Sequence, residues 1–421
     1  MATIELGYGD NSVAFEYNES QYEVLAPNER NERPLSDADI GSALDTPIGS
    51  PPLEEIVQPG ESVLIVVSDA TRATASAQVV NLLVRRVIQS GISASDIAIV
   101  FATGIHRALT DDEKRELLTP FIAQRIRTID HDASDSSKFV QLGTTGRGTP
   151  IEVNRALKDH SRVVLTGAVG FHYFAGFTGG RKSICPGLAS SQTIEATHML
   201  ALDFERGGRR AGVAAGLLEG NQVHEECERV AAMIEPSFIV NTIVDERGRA
   251  LRVFAGDWRT AHRQACEEYA ATHSQHIDHK RGVVIVSCGG APYDINMIQA
   301  QKALDMAAHA CVTGGVIILL AECPDGLGRA DFLKWFDCSD SQELEQRLRE
   351  AYQVNGQTAW SLLTKTEQFR IYLISKLATA NARRMRMIPA STLDEALAQI
   401  DSGVPGYIMP RGPALLPLAM N

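Results

Sequence analysis

The segment Gly170–Ser183, GFHYFAGFTGGRKS, places His172, a Gly179-Gly180 turn and the basic pair Arg181-Lys182 in one short stretch. Glycine tolerates positive φ and lets backbone N–H groups approach a ligand closely. A lysine at the end of such a turn binds phosphate as a point charge or acts as an amine nucleophile. The phosphate-loop pattern G-x-x-x-x-G-K-[ST] nearly fits, but Arg181 stands where its second glycine is required. The competing reading is a plain turn between a strand and a helix, which has no need of His, Arg and Lys together. His198 follows on a helix expected from about Gln192, and its ring nitrogen suits a metal.

The elements around this segment read as alternating strands and helices. Apolar runs predict strands at Ser62–Val67, Asp96–Phe101, Arg162–Thr166, Phe238–Val244, Leu251–Phe254, Gly282–Ser287 and Gly315–Ala321. Helices are expected near Ala77–Gln89, Thr260–Thr272, Asn296–Cys311, Ser341–Tyr352 and Thr392–Asp401, and Thr110-x-x-Glu113 is a capping box opening another. Residues 1–60 read as irregular or β-like. The fold class is therefore α/β: two α/β domains with mostly parallel sheets. An N-terminal domain over 1–275 carries most of the site. A C-terminal domain over 276–421 faces it across a cleft, and the last segment, near Gly406–Pro410, is expected to return to the first domain.

In open parallel sheets, ligands bind beyond the carboxyl ends of the strands. The chemistry-bearing residues sit there. Strand Ser62–Val67 runs into Asp69 and Arg72, strand Asp96–Phe101 into His106, and strand Arg162–Thr166 into the His172–Lys182 loop. Strand Gly282–Ser287 leads to a helix bearing Gln299 and Lys302. Each has a plainer reading: Asp69 as a helix cap, Arg72 in a surface ion pair, His106 as a loop histidine, Gln299 and Lys302 on a solvent face. Their joint position after strands favours chemistry. Two histidines can flank a substrate and exchange protons on opposite faces. Arg72 and Lys302 can hold a carboxylate or phosphate.

Composition bounds the partners. The chain has 421 residues, 44% hydrophobic and 22% charged, with a net charge of −12. That balance argues against nucleic acid or an anionic membrane as the main partner. No signal peptide and no membrane-length apolar run is visible, so a cytoplasmic location is expected. Seven cysteines, with no C-x-x-C, read as reduced thiols rather than a zinc site. His273-x-x-His276-x-x-His279 has metal-like spacing, but lies among polar residues at a domain boundary and reads as a linker.

The chain resembles the lactate racemase family, the nickel-pincer-nucleotide enzymes. The resemblance rests on Ser68-Asp69-Ala70-Thr71-Arg72, Gly104-Ile105-His106-Arg107, HYFAGFTGGRKSICPG from His172 to Gly187, Thr197-His198-Met199, Gly220-Asn221-x-x-His224 and Asn296-x-x-Gln299-x-x-Lys302. It implies a racemase or epimerase of 2-hydroxy acids working by reversible hydride transfer. The implied cofactor is a pyridinium-3-thioamide-5-thiocarboxylic acid mononucleotide carrying Ni(II), made by dedicated cofactor-biosynthesis enzymes. The resemblance assigns Lys182 to the thioamide tether, His198 to nickel, and His106 and His172 to proton transfer. It assigns Arg72, Gln299 and Lys302 to the substrate, and Asp69 to orienting Arg72 or the cofactor. Gly179, Gly180 and Arg181 fall to cofactor binding. Ile298 stands where an aromatic is expected in lactate-specific members, which leaves lactate, malate, aryl-hydroxy acids and aldonic acids all open. Two other readings are a nicotinamide-dependent dehydrogenase, which would need a G-x-G-x-x-G that is not found, and a non-catalytic carrier of the nickel cofactor.

Overall fold

The run VLIVVS forms the strand Val63–Ser68, and its first five residues are buried. A strand without a polar face must lie inside a parallel sheet covered by helices. The six-stranded sheet built on it has the order Ala250–Gly256, Phe238–Val244, Arg162–Ala168, Val63–Ser68, Ile97–Ala102, Arg127–Asp130. Every neighbouring pair is parallel except Ala250–Gly256 with Phe238–Val244. Helix Ser76–Gln89 packs Val79, Val80, Leu83, Val84 and Val87 into the core with Val63, Ile65 and Val67. The Thr110–Glu113 capping box opens helix Asp111–Arg125.

Chain order across this sheet matters for the site. From Val63–Ser68 the chain adds Ile97–Ala102 and Arg127–Asp130 on one side, then crosses to add Arg162–Ala168 and Phe238–Val244 on the other. The strand order therefore reverses between Val63–Ser68 and Arg162–Ala168. At such a point the two outgoing loops diverge and leave a crevice at the carboxyl ends.

The computed structural model describes residues 1–28 and 33–420. They divide into two compact units: the described residues of 30–201 with 210–270, which hold the sheet above, and the described residues of 1–29, 202–209 and 271–421. The second unit has its own six-stranded sheet, all parallel, in the order Ile388–Ala390, Arg370–Ile374, Cys311–Leu320, Arg281–Ser287, Gly406–Met409, Tyr22–Val24. Among the described residues no helix is long and apolar enough to cross a membrane.

This division corrects a simple split near residue 275. The hairpin Ala2–Tyr8/Asn11–Tyr17 and the strand Tyr22–Val24 belong with the C-terminal sheet, where Leu6, Phe15 and Tyr22 join its core. The Gly406–Met409 segment does not return to the first domain. It pairs with Arg281–Ser287, because a central strand needs a hydrogen-bonding neighbour on both edges. The expected helix over 296–311 stops at Ala307, since Cys311 already opens the next strand. Two further elements, helix Asp37–Asp45 and helix Val354–Gln368, carry no strong periodic signal in the sequence. Trp360 on the latter is a core residue, 5% exposed.

Candidate active site

Asp69 and His106 leave the carboxyl ends of adjacent strands and meet. Asp69 Oδ2 lies 2.7 Å from His106 Nδ1, while Asp69 Oδ1 accepts from Thr71 N at 2.9 Å and Thr71 Oγ1 at 2.6 Å. Burial acts to raise the Asp69 pKa, but the His106 hydrogen bond and charge, Arg72 and Thr71 outweigh it and hold the carboxyl down to about 2. A carboxylate only accepts, so His106 Nδ1 carries the proton and Nε2 presents a lone pair. The side chain of His106 is 41% exposed, so that lone pair is accessible. Asp69 thus orients His106, where the resemblance had assigned it to Arg72 or the cofactor.

The Gly-rich segment begins as a tight hairpin pairing Phe171–His172 with Gly176–Phe177. Within it, Ala175 N donates to His172 Nδ1 at 3.2 Å, which puts the neutral ring's proton on Nε2. The two histidines are therefore prepared oppositely: His106 as an acceptor, His172 as a donor. The His172 ring lies 4.6 Å from the Phe174 ring in an edge contact.

Gly179 and Gly180 make the turn that aims Lys182. Both have positive φ, +73° and +55°. A Cβ on Gly179 would sit 2.6 Å from Asn241 Oδ1, and one on Gly180 would sit 2.5 Å from His262 Cγ. Asn241 Oδ1 accepts from Gly180 N at 3.1 Å. Arg181, only 1% exposed, turns inward and donates to the Ala175 carbonyl at 2.7 Å, bracing the hairpin. Lys182 is half-buried as a residue, with its amine end enclosed. Burial pushes its pKa down to about 7, Arg181 and Arg72 push the same way, and Cys227 resists. Its amine lies 5.9 Å from the Phe174 ring centre.

His198 is the eighth residue of helix Ser191–Met199, which is capped by Ser190. Its ring makes an edge contact with Phe174 at 5.1 Å. Thr197 Oγ1 spends its hydrogen on the Ile194 carbonyl at 2.9 Å, so toward His198 Nδ1, 3.3 Å away, it accepts. That leaves Nε2 unprotonated and able to bind a metal. Burial, then the Lys182 charge, lower the His198 pKa to about 3, keeping the ring neutral. Phe174 thereby gathers His172, Lys182 and His198 around one ring. Asn221 holds it from behind, donating to the Phe174 carbonyl at 3.0 Å while capping helix Gln222–Ala232.

Arg72 is half-buried and makes no ion pair among the described residues, so its guanidinium is available to an anion. Gln299 and Lys302 lie in the other unit, one turn apart on helix Met297–Ala307, where Lys302 Nζ donates to Gln299 Oε1. The His273–His276–His279 series is dispersed over a helix end, a short strand and a loop. Among the described residues no group of three or more His, Cys, Asp or Glu side chains is arranged to hold a metal. Asn241, His262 and Asn221 were not distinguishable as supports from sequence. Only Asn221 stood in a quoted motif.

Sequence comparison agrees with this geometry. A family model described as the lactate racemase N-terminal domain matches residues 8–208, and the lactate racemase C-terminal domain matches residues 277–404. A lactate racemase from Thermoanaerobacterium thermosaccharolyticum is 32% identical over 83% of this chain and 81% of its own. This chain belongs to the lactate racemase family. A second family member, from Lactiplantibacillus plantarum, is 29% identical over 94% of each chain. The apoprotein structure of the Thermoanaerobacterium lactate racemase matches with a TM-score of 0.90, covering 99% of this chain and 100% of that one at 28% identity. A Thermotoga maritima protein shares the fold, with a TM-score of 0.72 at 20% identity over 93% of this chain and 100% of its own. Of the motifs that carry the family resemblance, those with Asp69, His106, His172, Lys182, His198 and Asn221 meet around Phe174 or in the Asp69–His106 pair, and the one with Gln299 and Lys302 lies in the other unit.

Proposed function

We propose that this protein is an isomerase that inverts the hydroxyl-bearing carbon of a 2-hydroxy acid, with lactate the first substrate to test because both curated relatives are lactate racemases. The observation that carries the reading is the cluster of His172, Lys182 and His198 around Phe174, with His106 held for proton transfer by Asp69.

The side chains fit a lysine-tethered nickel-pincer nucleotide. Lys182 offers an amine whose pKa is near neutrality, as an amide-type bond to a cofactor requires. His198 offers a neutral ring with an open Nε2. The Gly179-Gly180 turn and Arg181 brace that tether. When bound, the cofactor supplies a reversible acceptor for the substrate's α-hydrogen as hydride.

The chain's own residues supply the remainder. His106 Nε2 takes the hydroxyl proton, and Asp69 stabilises the imidazolium that results. His172 enters with Nε2–H and hydrogen-bonds the substrate oxygen from its own side. Arg72 binds the carboxylate.

Two measurements test this. Protein co-produced with the cofactor-synthesis enzymes is expected to show a nucleotide-sized mass adduct that maps to Lys182 and is missing from Lys182→Ala. Racemisation of α-deuterated lactate, malate, aryl-hydroxy acids and aldonic acids is then screened. Retention of the label in the inverted product supports hydride return. Full wash-out into water would mean simple deprotonation and would overturn the mechanism.

A further inference from the structure

The N–H that sets the proton on His172 and the carbonyl held by Asn221 belong to one peptide group. Ala175 N donates to His172 Nδ1 at 3.2 Å, and Phe174 O, in the same planar unit, accepts from Asn221 Nδ2 at 3.0 Å. Asn221 is fully buried, and its partners fix which way its amide points. Its Oδ1 accepts from Val223 N and His224 N, both at 3.2 Å, as the cap of helix Gln222–Ala232. Its Nδ2 faces only carbonyls: Phe174, Leu217 at 3.1 Å and Ala214 at 3.4 Å. The next carbonyl along the hairpin tip, Ala175 O, is held separately by Arg181 Nη2 at 2.7 Å.

We propose that Asn221 is a positioning residue that sets the His172 tautomer, acting through the Phe174–Ala175 peptide. A trans peptide is rigid, and its N–H and C=O point opposite ways. Turning this one about its flanking single bonds would carry the N–H away from His172 and bring the Phe174 carbonyl round in its place. A carbonyl only accepts, so Nδ1 would then carry the ring proton and Nε2 would present a lone pair. The two settings exchange His172 between donor and acceptor at Nε2. Asn221 selects the donor setting. In the other setting its Nδ2 would face an N–H, donor against donor, at a buried position where an unmet polar group is costly. In the observed setting the two hydrogen bonds run head to tail through one peptide, so each polarises the other. The consequence for turnover rests on the proton role proposed for His172; the control of the tautomer does not.

The test is a long-range proton–nitrogen spectrum of the histidine rings in the full-length, cofactor-free protein, recorded at about pH 8, above the ordinary histidine range. The His172 signals are assigned by their loss in His172→Gln. Wild type is expected to show His172 protonated at Nε2, and His106 and His198 protonated at Nδ1. Asn221→Asp keeps the helix cap, since a carboxylate oxygen still accepts from Val223 and His224, but it offers the Phe174 carbonyl no donor. It is expected to turn the peptide and make Nδ1–H the main form of His172, with His106 and His198 unchanged. Asn221→Ser also caps but is too short to reach Phe174 O, and it is expected to show both His172 forms. His172 protonated at Nε2 alone in both variants would overturn the proposal. So would a change at all three histidines together, which marks a merely structural loss. In cofactor-loaded enzyme, Asn221→Asp is expected to lower kcat by at least about tenfold with KM changed little. An inverted tautomer with kcat intact upholds the Asn221 role and removes His172 from proton transfer. An unchanged tautomer in both variants, with racemisation abolished by His172→Gln, does the reverse.

Discussion

At the residue scale, the decisive feature is that hydrogen bonds preassign the protons on the histidines. Asp69 fixes the His106 tautomer in the manner of the carboxylate in a Ser-His-Asp triad. Asp69→Asn keeps the shape but offers an amide that can donate to Nδ1, turning the ring's proton onto Nε2. Steady-state kinetics are expected to show kcat reduced by about 10²–10⁴-fold with KM changed little, since substrate contacts remain; an unchanged kcat would remove His106 from proton transfer. Asp69 also has a stability signature. Its carboxyl sits near 2 when folded, below the ordinary range, so the folded state binds fewer protons there. The stabilisation, about 2 kcal/mol, is present above the unfolded pKa near 4 and is lost as pH falls through 2. Denaturant titrations of wild type and Asp69→Asn are expected to converge below pH 2. Lys182 has the opposite sign. Its pKa is lowered to about 7 on folding, so between 7 and 10.5 the unfolded chain binds more protons and stability rises with pH. Lys182→Met is expected to raise the thermal midpoint of cofactor-free protein at pH 7, with the gain shrinking toward pH 10.5. A midpoint that falls, or a gain independent of pH, would contradict burial of the amine as the cause.

At the element scale, the site follows from where strands end and how one turn is cut. The strand order reverses between Val63–Ser68 and Arg162–Ala168, so their loops, with Asp69, Arg72, His172 and Lys182, open into one crevice. The Gly179-Gly180 turn is its most constrained part. Gly180→Ala must adopt φ +55° and place a methyl against the His262 ring, which cannot move away cheaply because its Nε2 is 3.0 Å from the Thr178 carbonyl. The variant is expected to lose roughly 2–3 kcal/mol by chemical denaturation, combining backbone strain with overpacking, and Gly146→Ala, which meets nothing within 4 Å, is the control. Equal stability of the two variants would show that the turn has another conformation open to it. This scale also shows what a sequence discloses. The buried strands were legible because five consecutive apolar residues allow little else, and residues after their carboxyl ends were legible as chemistry by position. The capping box at Thr110 was legible because its two hydrogen bonds need only residues three apart. Helix Val354–Gln368 was not, because Gln357, Thr358, Ser361 and Lys365 are buried polar residues that break its apolar stripe, and Ser361 and Lys365 are partnered by Arg209 and Asp305 from distant segments. Lys365 finds Asp305 at 2.6 Å, a pairing sixty residues away that no local pattern announces. Asn241 and His262 were hidden for the same reason: each acts on the Gly-rich turn from a distant element.

At the scale of the whole molecule, sequence neighbours and folding partners do not coincide. The first 28 residues precede the unit with the Gly-rich turn in sequence but contribute to the C-terminal sheet. Tyr22–Val24 is its edge strand, and the hairpin closes over the ends of the central strands, where Asp294 Oδ2 accepts from Gly9 N at 2.8 Å and Ser287 Oγ donates to the Gly7 carbonyl at 2.5 Å. Leu6, Phe15 and Tyr22 are no more than 8% exposed. Burying three such side chains is worth about 1.5–3 kcal/mol each, a large share of one unit's stability. Two separate cores make two calorimetric transitions the expectation, and substitutions sort by core rather than by position along the chain. Removal of residues 1–25 is expected to lower the transition of the unit holding Arg281–Ser287 and leave the other within error. Lys182→Met and Gly180→Ala are expected to move only the other transition, which assigns the two peaks independently. Hydrogen exchange after the truncation is expected to rise in Gly406–Met409, whose edge is uncovered when Tyr22–Val24 leaves, while protection of Val63–Ser68 is unchanged. Loss of protection in Val63–Ser68 instead would place the N-terminal segment with the first unit and overturn this division of the chain.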